Sequence, residues 1–233
     1  MKNSIKKVAS IGIICLLSLT VNAQKPSLEL LTPDNHALVL IDFEGQMAFA
    51  ISSISINALR NNAAIVAEAS KIFNVSTVIT TVAEKSFSGP VFPEIMDVYP
   101  VATSGYLDRT SMNTWEDNSA YNAIVSKGKN KIVFAGLWTS VCIVGPALSA
   151  RAEGYDVYVI TDACGDVSKE AHDIAIDRML QAGIKPMTSI QYLLELQRDW
   201  SRKQTYKQVN ELIKKYGGGY GIGVQYAQQM LNH

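Results

Sequence analysis

Three side chains in this sequence have the type and the setting for acyl-transfer chemistry. Cys142 stands where an apolar run, residues 132–135, passes through Gly136, Leu137, Trp138 and Thr139 into a helix-like stretch of small and apolar residues. Asp42 ends the apolar run that starts at His36, and Arg109 follows a segment that reads as a further strand. A thiol at a helix start meets unpaired backbone N–H groups and the positive end of the macrodipole, which favour a thiolate or an oxyanion. A carboxylate beside it can take the thiol proton, and a cation can hold the thiolate and orient the acid for attack on a carbonyl. Each residue also has a plainer reading. Cys142 can be a buried thiol, Asp42 a cap or turn residue, and Asp42 with Arg109 a structural ion pair.

For the three to meet, strands must deliver them to one edge of a sheet. Residues 36–41 form a near-continuous apolar run, the pattern of a strand buried on both faces. Residues 75–82 are β-branched and predict a second strand, 101–108 hold a short third, 132–135 a fourth, 156–161 a fifth and 184–188 a last. Between them, residues 55–73 carry helical periodicity through Ile56, Leu59, Ala63, Val66, Ala67 and Ile72. Further helices are expected at 118–126, after Cys142, at 168–182 between a Ser168 start and a Gly183 stop, and at 190–200. Residues 84–100, with Gly89, Pro90, Pro93 and Pro100, read mostly as loop. The alternation predicts one three-layer α/β domain over residues 24–200, a parallel sheet with helices on both faces and ligands beyond its carboxyl edge. Residues 204–216 predict one more helix, running into a flexible glycine-rich segment at 217–221. The extension 201–233 is expected to pack on a neighbouring subunit.

Composition narrows the partners. Of 233 residues, 48% are apolar and 18% charged, as in an ordinary globular protein with a sizeable core. Lysine plus arginine equals aspartate plus glutamate at 21 each, and no long basic run advertises a nucleic acid or an anionic membrane. The amino terminus differs: Lys2, Lys6 and Lys7 precede a charge-free apolar run, and Val21-Asn22-Ala23 has the small residues of a cleavage site. Residues 1–23 therefore read as a signal peptide, too short for a comfortable membrane span, which predicts a secreted or periplasmic chain with no membrane partner after cleavage. A retained anchor is the alternative. Cys15 would leave with the leader, and Cys142 and Cys164 could then form one disulfide or support thiol redox chemistry. The three histidines, His36, His172 and His233, form no cluster, so no metal is expected. No glycine-rich phosphate loop follows the first strand, so no nicotinamide cofactor is expected either.

Three ordered blocks then carry a resemblance: Asp42-Phe-Glu-Gly-Gln46-Met-Ala-Phe49, Arg109-Thr-Ser-Met-Asn113-Thr-Trp115-Glu-Asp117, and Gly136-Leu-Trp-Thr139-Ser-Val-Cys142-Ile. Together with residues 147–150 and 159–163 they resemble the isochorismatase-like cysteine hydrolases, within them the YcaC-like branch, across residues 34–200. The resemblance implies a six-stranded, Rossmann-like parallel sheet, a homo-oligomer (an octamer in that branch), no cofactor, and a small-molecule substrate. It implies Cys142 as nucleophile, Asp42 as general base, and a cis bond between Leu137 and Trp138. The backbone N–H groups of Trp138 and Cys142 would form the oxyanion hole, and Gln46, Phe49, Asn113, Trp115 and Thr139 would line the pocket. Arg109 falls where the family has a lysine; it keeps the charge but cannot give up a proton. Lys85 is the nearest substitute, in a segment read as solvated. Related nicotinamidases place metal-binding histidines soon after the first-strand aspartate, whereas residues 43–100 contain no histidine. True isochorismatases lack the cysteine, so Cys142 points towards amide or related acyl hydrolysis. A non-catalytic binding or assembly protein on the same scaffold is the alternative that Arg109 and the long tail motivate.

Overall fold

The computed structural model describes residues 25–231, so the leader read at residues 1–23 lies outside the described residues. The strands are β1 (His36–Ile41), β2 (Ser76–Val82), β3 (Leu107–Arg109), β4 (Lys131–Leu137), β5 (Asp156–Gly165) and β6 (Lys185–Met187). They form one parallel sheet in the order β3-β2-β1-β4-β5-β6. Every residue of β1 and β4 is buried, which is why both read as unbroken apolar runs.

Helices cover both faces: α1 (Gly45–Phe49), α2 (Ile56–Ile72), α3 (Pro93–Val98), α4 (Val101–Ser104), α5 (Asn118–Val125), α6 (Val144–Ala152), α7 (Lys169–Gln181), α8 (Ser189–Gln197), α9 (Lys203–Tyr216) and α10 (Gly218–Leu231). The pleat sorts the side chains. Leu38, Leu40, Val133 and Ala135 face a core closed by α2, α3, α8 and α9. Val39, Ile41, Ile132 and Phe134 face a second core closed by α5, α6 and α7. The expected three-layer α/β fold with a six-stranded parallel sheet is the one observed. Its strand order reverses between β1 and β4, and at such a switch point a crevice opens beyond the carboxyl ends of the strands.

Local departures from the expected elements have local causes. The segment 84–100, read as loop, holds a π-helical turn (Glu84–Ser88) and α3, with Pro93 in the first helical turn, where its missing N–H costs nothing. Residues 101–108 were expected to hold a short third strand; it starts only at Leu107, because Pro100 starts α4, and Leu107–Arg109 pair with β2. β5 outruns its expected end because a register shift opposite Phe134 and Gly136 re-pairs Gly136 with Cys164 and Leu137 with Gly165. The glycine-rich segment is also not a flexible tail. It starts α10, which packs back on α9, and a Cβ at Gly221 would stand 2.4 Å from the Ile213 carbonyl oxygen. The glycines serve helix contact there, while Val209, Leu212 and Ile213 join α9 to the first core. Among the described residues no helix is long and apolar enough to cross a membrane.

One glycine determines how closely β4 approaches β1 at the crevice. Gly136 has φ +146°, and a Cβ on it would lie 1.8 Å from the carbonyl oxygen of Ile41, the residue before Asp42. No side chain motion can relieve a clash with backbone, so Gly136→Ala must push the two strands apart. The expected loss is at least about 2 kcal/mol of unfolding free energy in urea titration. An alanine variant as stable as the parent would show that the strands do not need this approach.

Candidate active site

Strand ends bring Asp42, Arg109 and Cys142 together. Asp42 leaves β1 in the left-handed region, φ 53°, its N–H held by the Thr80 carbonyl at 3.0 Å. Arg109 ends β3 and donates through Nη2 to Asp42 Oδ2 at 2.7 Å; both side chains are 0% exposed. Its Nη1 donates to the Ser111 carbonyl, which steers the guanidinium. Asp42 Oδ1 and Arg109 Nε keep no hydrogen-bond partner among the described residues. Cys142 is buried beside this pair, near enough for both charges to act on its thiol.

The electrostatics follow from burial. Asp42 is pushed up to about 6, because desolvation outweighs the Arg109 charge and the hydrogen bonds from Cys142 and Arg109. It is nevertheless a carboxylate at neutral pH. Burial first, then the Asp42 charge, push the Cys142 thiol up to about 12 against the pull of Arg109. The resting sulfur is a thiol, so attack requires a base. Glu44, two residues beyond Asp42, is the buried acid that the sequence reading overlooked. Its Oε2 accepts the Val82 N–H at 3.0 Å, and desolvation, reinforced by the Asp42 charge, raises it to about 8. At neutral pH it is protonated, clamping the start of α1 to the end of β2. A carboxyl two residues past a strand-end aspartate, flanked by Phe43, was the available signal.

Cys142 sits in a π-helical turn (Thr139–Ile143) that follows the cis Leu137–Trp138 peptide, the bond the resemblance implies. The turn is tied down from several sides. The Trp138 carbonyl accepts N–H bonds from Val141, Cys142 and Ile143 at 3.1, 3.0 and 3.3 Å. Asp166 Oδ2 accepts the Ser140 N–H at 2.7 Å, and Trp138 Nε1 donates to the Met47 carbonyl at 2.9 Å. Thr139, expected in the pocket, is instead an internal brace: its hydroxyl donates to the Gly165 carbonyl at 3.1 Å and lies 2.8 Å from His172 Nδ1. The expected oxyanion pair is likewise reduced. The Cys142 N–H is spent on the Trp138 carbonyl, whereas the Trp138 N–H has no partner among the described residues.

Above the thiol opens a cavity of about 250 Å³. Met47, Val82 and Trp138 wall it, Phe87, Met112 and Val141 form an exposed rim, and Ser88 and Thr110 supply hydroxyls. Four other expected pocket residues lie elsewhere. Gln46 is exposed and lies against Gly89, and Phe49 is 88% exposed; neither lines the cavity. Asn113 caps the turn Thr114–Glu116 and donates to Glu116 and Ser149. Trp115 is buried in the second core against Tyr121, Phe134 and Tyr155, its Nε1 donating to Glu153. Residues near a site in sequence can be turned into the packing behind it: Asn113 lies against Gly145 of α6, and Trp115 joins the second core, which also holds Cys142. Lys85 is exposed on its turn. Cys142 and Cys164 are both buried and unbridged. Among the described residues no three His, Cys, Asp or Glu side chains cluster as a metal site.

Residues 36–191 match the Isochorismatase domain family. The chain belongs to that family. Within it the chain falls in the YcaC-like branch. It is 34% identical over 171 residues to the probable hydrolase YcaC of Escherichia coli, spanning 73% of this chain and 81% of that protein. It is 30% identical to isochorismatase domain-containing protein 2 of Xenopus laevis over 79% of this chain and 87% of that one. The crystal structure of E. coli YcaC, described as an octameric hydrolase of unknown specificity, superposes with a TM-score of 0.81 at 32% identity, over 89% of this chain and all of that one. The Pseudomonas aeruginosa YcaC structure, which carries hexane-2,5-diol and covalent acrylamide, gives 0.80 at 28% identity over 88% of this chain and all of that one.

The isochorismatase-family fold thus buries an ion pair whose value can be tested directly. In Arg109→Met, Asp42 loses its counter-charge without gaining water, and breaking such a pair costs about 3–5 kcal/mol. The sign with pH follows from the raised Asp42 value. A carboxyl held above its unfolded value of 3.8 contributes most when protonated, and that contribution is lost as pH rises through about 6. The deficit of Arg109→Met, read from urea titrations, is therefore expected to be largest above pH 6 and to shrink towards pH 4.

Proposed function

We propose that this protein is a cysteine hydrolase that cleaves a small amide-like C–N bond through an acyl-enzyme, without a metal. The observation that carries the reading is that Asp42 and Arg109, bonded to each other at the ends of β1 and β3, lie buried beside the thiol of Cys142, which lines the cavity. Asp42 takes the thiol proton as Cys142 Sγ attacks the carbonyl carbon. The Trp138 N–H donates to the developing oxyanion. Collapse of the tetrahedral intermediate breaks the C–N bond, and the proton on Asp42 passes to the leaving amine. Water then attacks the thioester, Asp42 accepts its proton, and the acid is released with the thiol restored.

Arg109 moves no proton in this scheme. Its charge orients Asp42 and stabilises the transient thiolate, which arginine does as well as lysine. The covalent acrylamide carried by the Pseudomonas relative supports the reading, because acrylamide is an electrophile of the kind thiolates add to. The hydrolase naming of the E. coli relative, and its octamer, support a homo-oligomeric hydrolase here too. Ile222, Tyr226 and Met230 stand exposed at successive fourfold spacing on α10, an apolar stripe suited to a subunit contact. With its leader removed, the enzyme would act in the periplasm or outside the cell.

Ammonia release from a panel of small amides and carbamoyl compounds tests the reading. Cys142→Ala should fold and lose all turnover; retained turnover would overturn the proposal. Below about pH 6 Asp42 is protonated and cannot accept the thiol proton. The rate should therefore rise with pH to a plateau above that value, and Asp42→Asn should remove the acid limb along with most of the activity.

A further inference from the structure

Every charged group at the cavity floor is already paired or neutral. The Asp42 carboxylate and the Arg109 guanidinium are 0% exposed and bonded to each other, so neither is free to receive an ionic substituent. No lysine, arginine, aspartate or glutamate lines the cavity. Its walls and rim, Met47, Val82, Trp138, Phe87, Met112 and Val141, offer hydrocarbon, thioether and indole surface. The volume of about 250 Å³ is that of roughly eight liquid waters, so an occupant must be small. Burying an uncompensated charge there is costly, while each buried methylene is favourable.

One polar group beside this space has no partner. Ser88 lines the cavity, is 0% exposed, and its hydroxyl makes no hydrogen bond among the described residues. The π-helical turn Glu84–Ser88 presents it there, held by the Ser88 N–H on the Ala83 carbonyl at 3.3 Å. A buried hydroxyl left unpaired is a cost to the empty site that a ligand atom can cancel.

We infer that the cavity selects small, uncharged amides with an apolar acyl chain, and that the Ser88 hydroxyl is the binding group for the amide end. The apolar chain lies against Met47, Met112 and Phe87, and the carbonyl carbon faces Cys142. This selection excludes acyl groups bearing a carboxylate. It builds on the hydrolase reading for the word substrate, but the cavity's preference can be measured without turnover.

The test uses the intact chain in two arms. In the first, alkylation of Cys142 by iodoacetamide and by iodoacetate, reagents of similar size but different charge, is followed by mass spectrometry at pH 7.5. Each rate is normalised to that of glutathione. A normalised preference for iodoacetamide of about a hundredfold or more is expected; equal rates overturn the inference. In the second arm, kcat/KM is measured for straight-chain amides from acetamide upward and for their ω-carboxylate counterparts. The neutral series should gain about fourfold per added methylene until the cavity is full, while the carboxylates stay near zero.

Ser88→Ala should leave the melting temperature unchanged or raise it, since it deletes an unpaired buried hydroxyl and no formed bond, yet lower kcat/KM for the neutral amides about fivefold to tenfold. Wild-type kinetics in that variant would remove Ser88 from the proposal. Turnover of carboxylate-bearing amides as fast as neutral ones would overturn the selectivity and leave the hydrolase reading intact. Iodoacetamide preference with no amide turned over would sink the hydrolase reading and keep the ligand class.

Discussion

The buried bond between Arg109 and Asp42 is the constraint from which the rest of the site follows. Two full charges stand out of water at 2.7 Å, and neither could stay there alone. Holding them requires β1 to end with Asp42 in the left-handed region, β3 to end on Arg109, and the Ser111 carbonyl to occupy one arm of the guanidinium. It also requires β4 to close against β1, which the missing side chain at Gly136 permits. In return the pair gives the site a carboxylate that is ionised at neutral pH yet less acidic than an exposed aspartate, a useful property in a base.

The thiol is placed by a different set of restraints. Three N–H groups of the turn converge on the Trp138 carbonyl, Asp166 holds the Ser140 N–H, and Thr139 with His172 braces the turn from behind. These bonds come from the end of β5, α7 and the turn itself, so Cys142 and Asp42 are fixed by separate parts of the sheet that meet at the switch point. Such independent support keeps their relative geometry from relaxing when either is perturbed. Glu44, protonated in the interior, clamps the adjoining strand end without adding charge to the site.

What the sequence made legible was what periodicity and strand ends encode. β1 and β4 were readable because burial on both faces makes them near-continuous apolar runs, and Asp42 because it ends one; Arg109 and Cys142 became legible as site residues through the ordered blocks they share with the family. The pocket was not legible in the same way. Asn113 and Trp115 lie close to Arg109 along the chain, but a cap and a core contact turn them towards α5 and α6. Met47 and Met112 sit unremarked inside the blocks that carry the resemblance, Ser88 lies outside them, and all three reach the cavity only through a short helix, a loop and a π-helical turn whose directions depend on tertiary contacts. The glycines of α10 misled for a related reason: glycine marks both flexible chain and close helix contact, and only the partner helix distinguishes them.

The arrangement also explains why an arginine suffices at the cation position. In the mechanism proposed above, Asp42 would take the thiol proton and the negative charge would move from the carboxylate to the sulfur while Arg109 stays positive, so the net charge of the three groups would not change. A low-dielectric floor penalises the appearance of net charge far more than its displacement over a few ångströms beside a fixed cation. The proposed steps ask no proton transfer of the cation, because in them Asp42 both accepts the thiol proton and delivers it to the leaving amine. The thiol raised to about 12 fits the same proposal: a thiolate would exist only as the C–S bond forms, with Arg109 beside it and an uncharged wall above. Apolar cavity, neutral pair and protonated thiol therefore meet one condition that the proposed mechanism sets, that the floor of the crevice carries no net charge at any step.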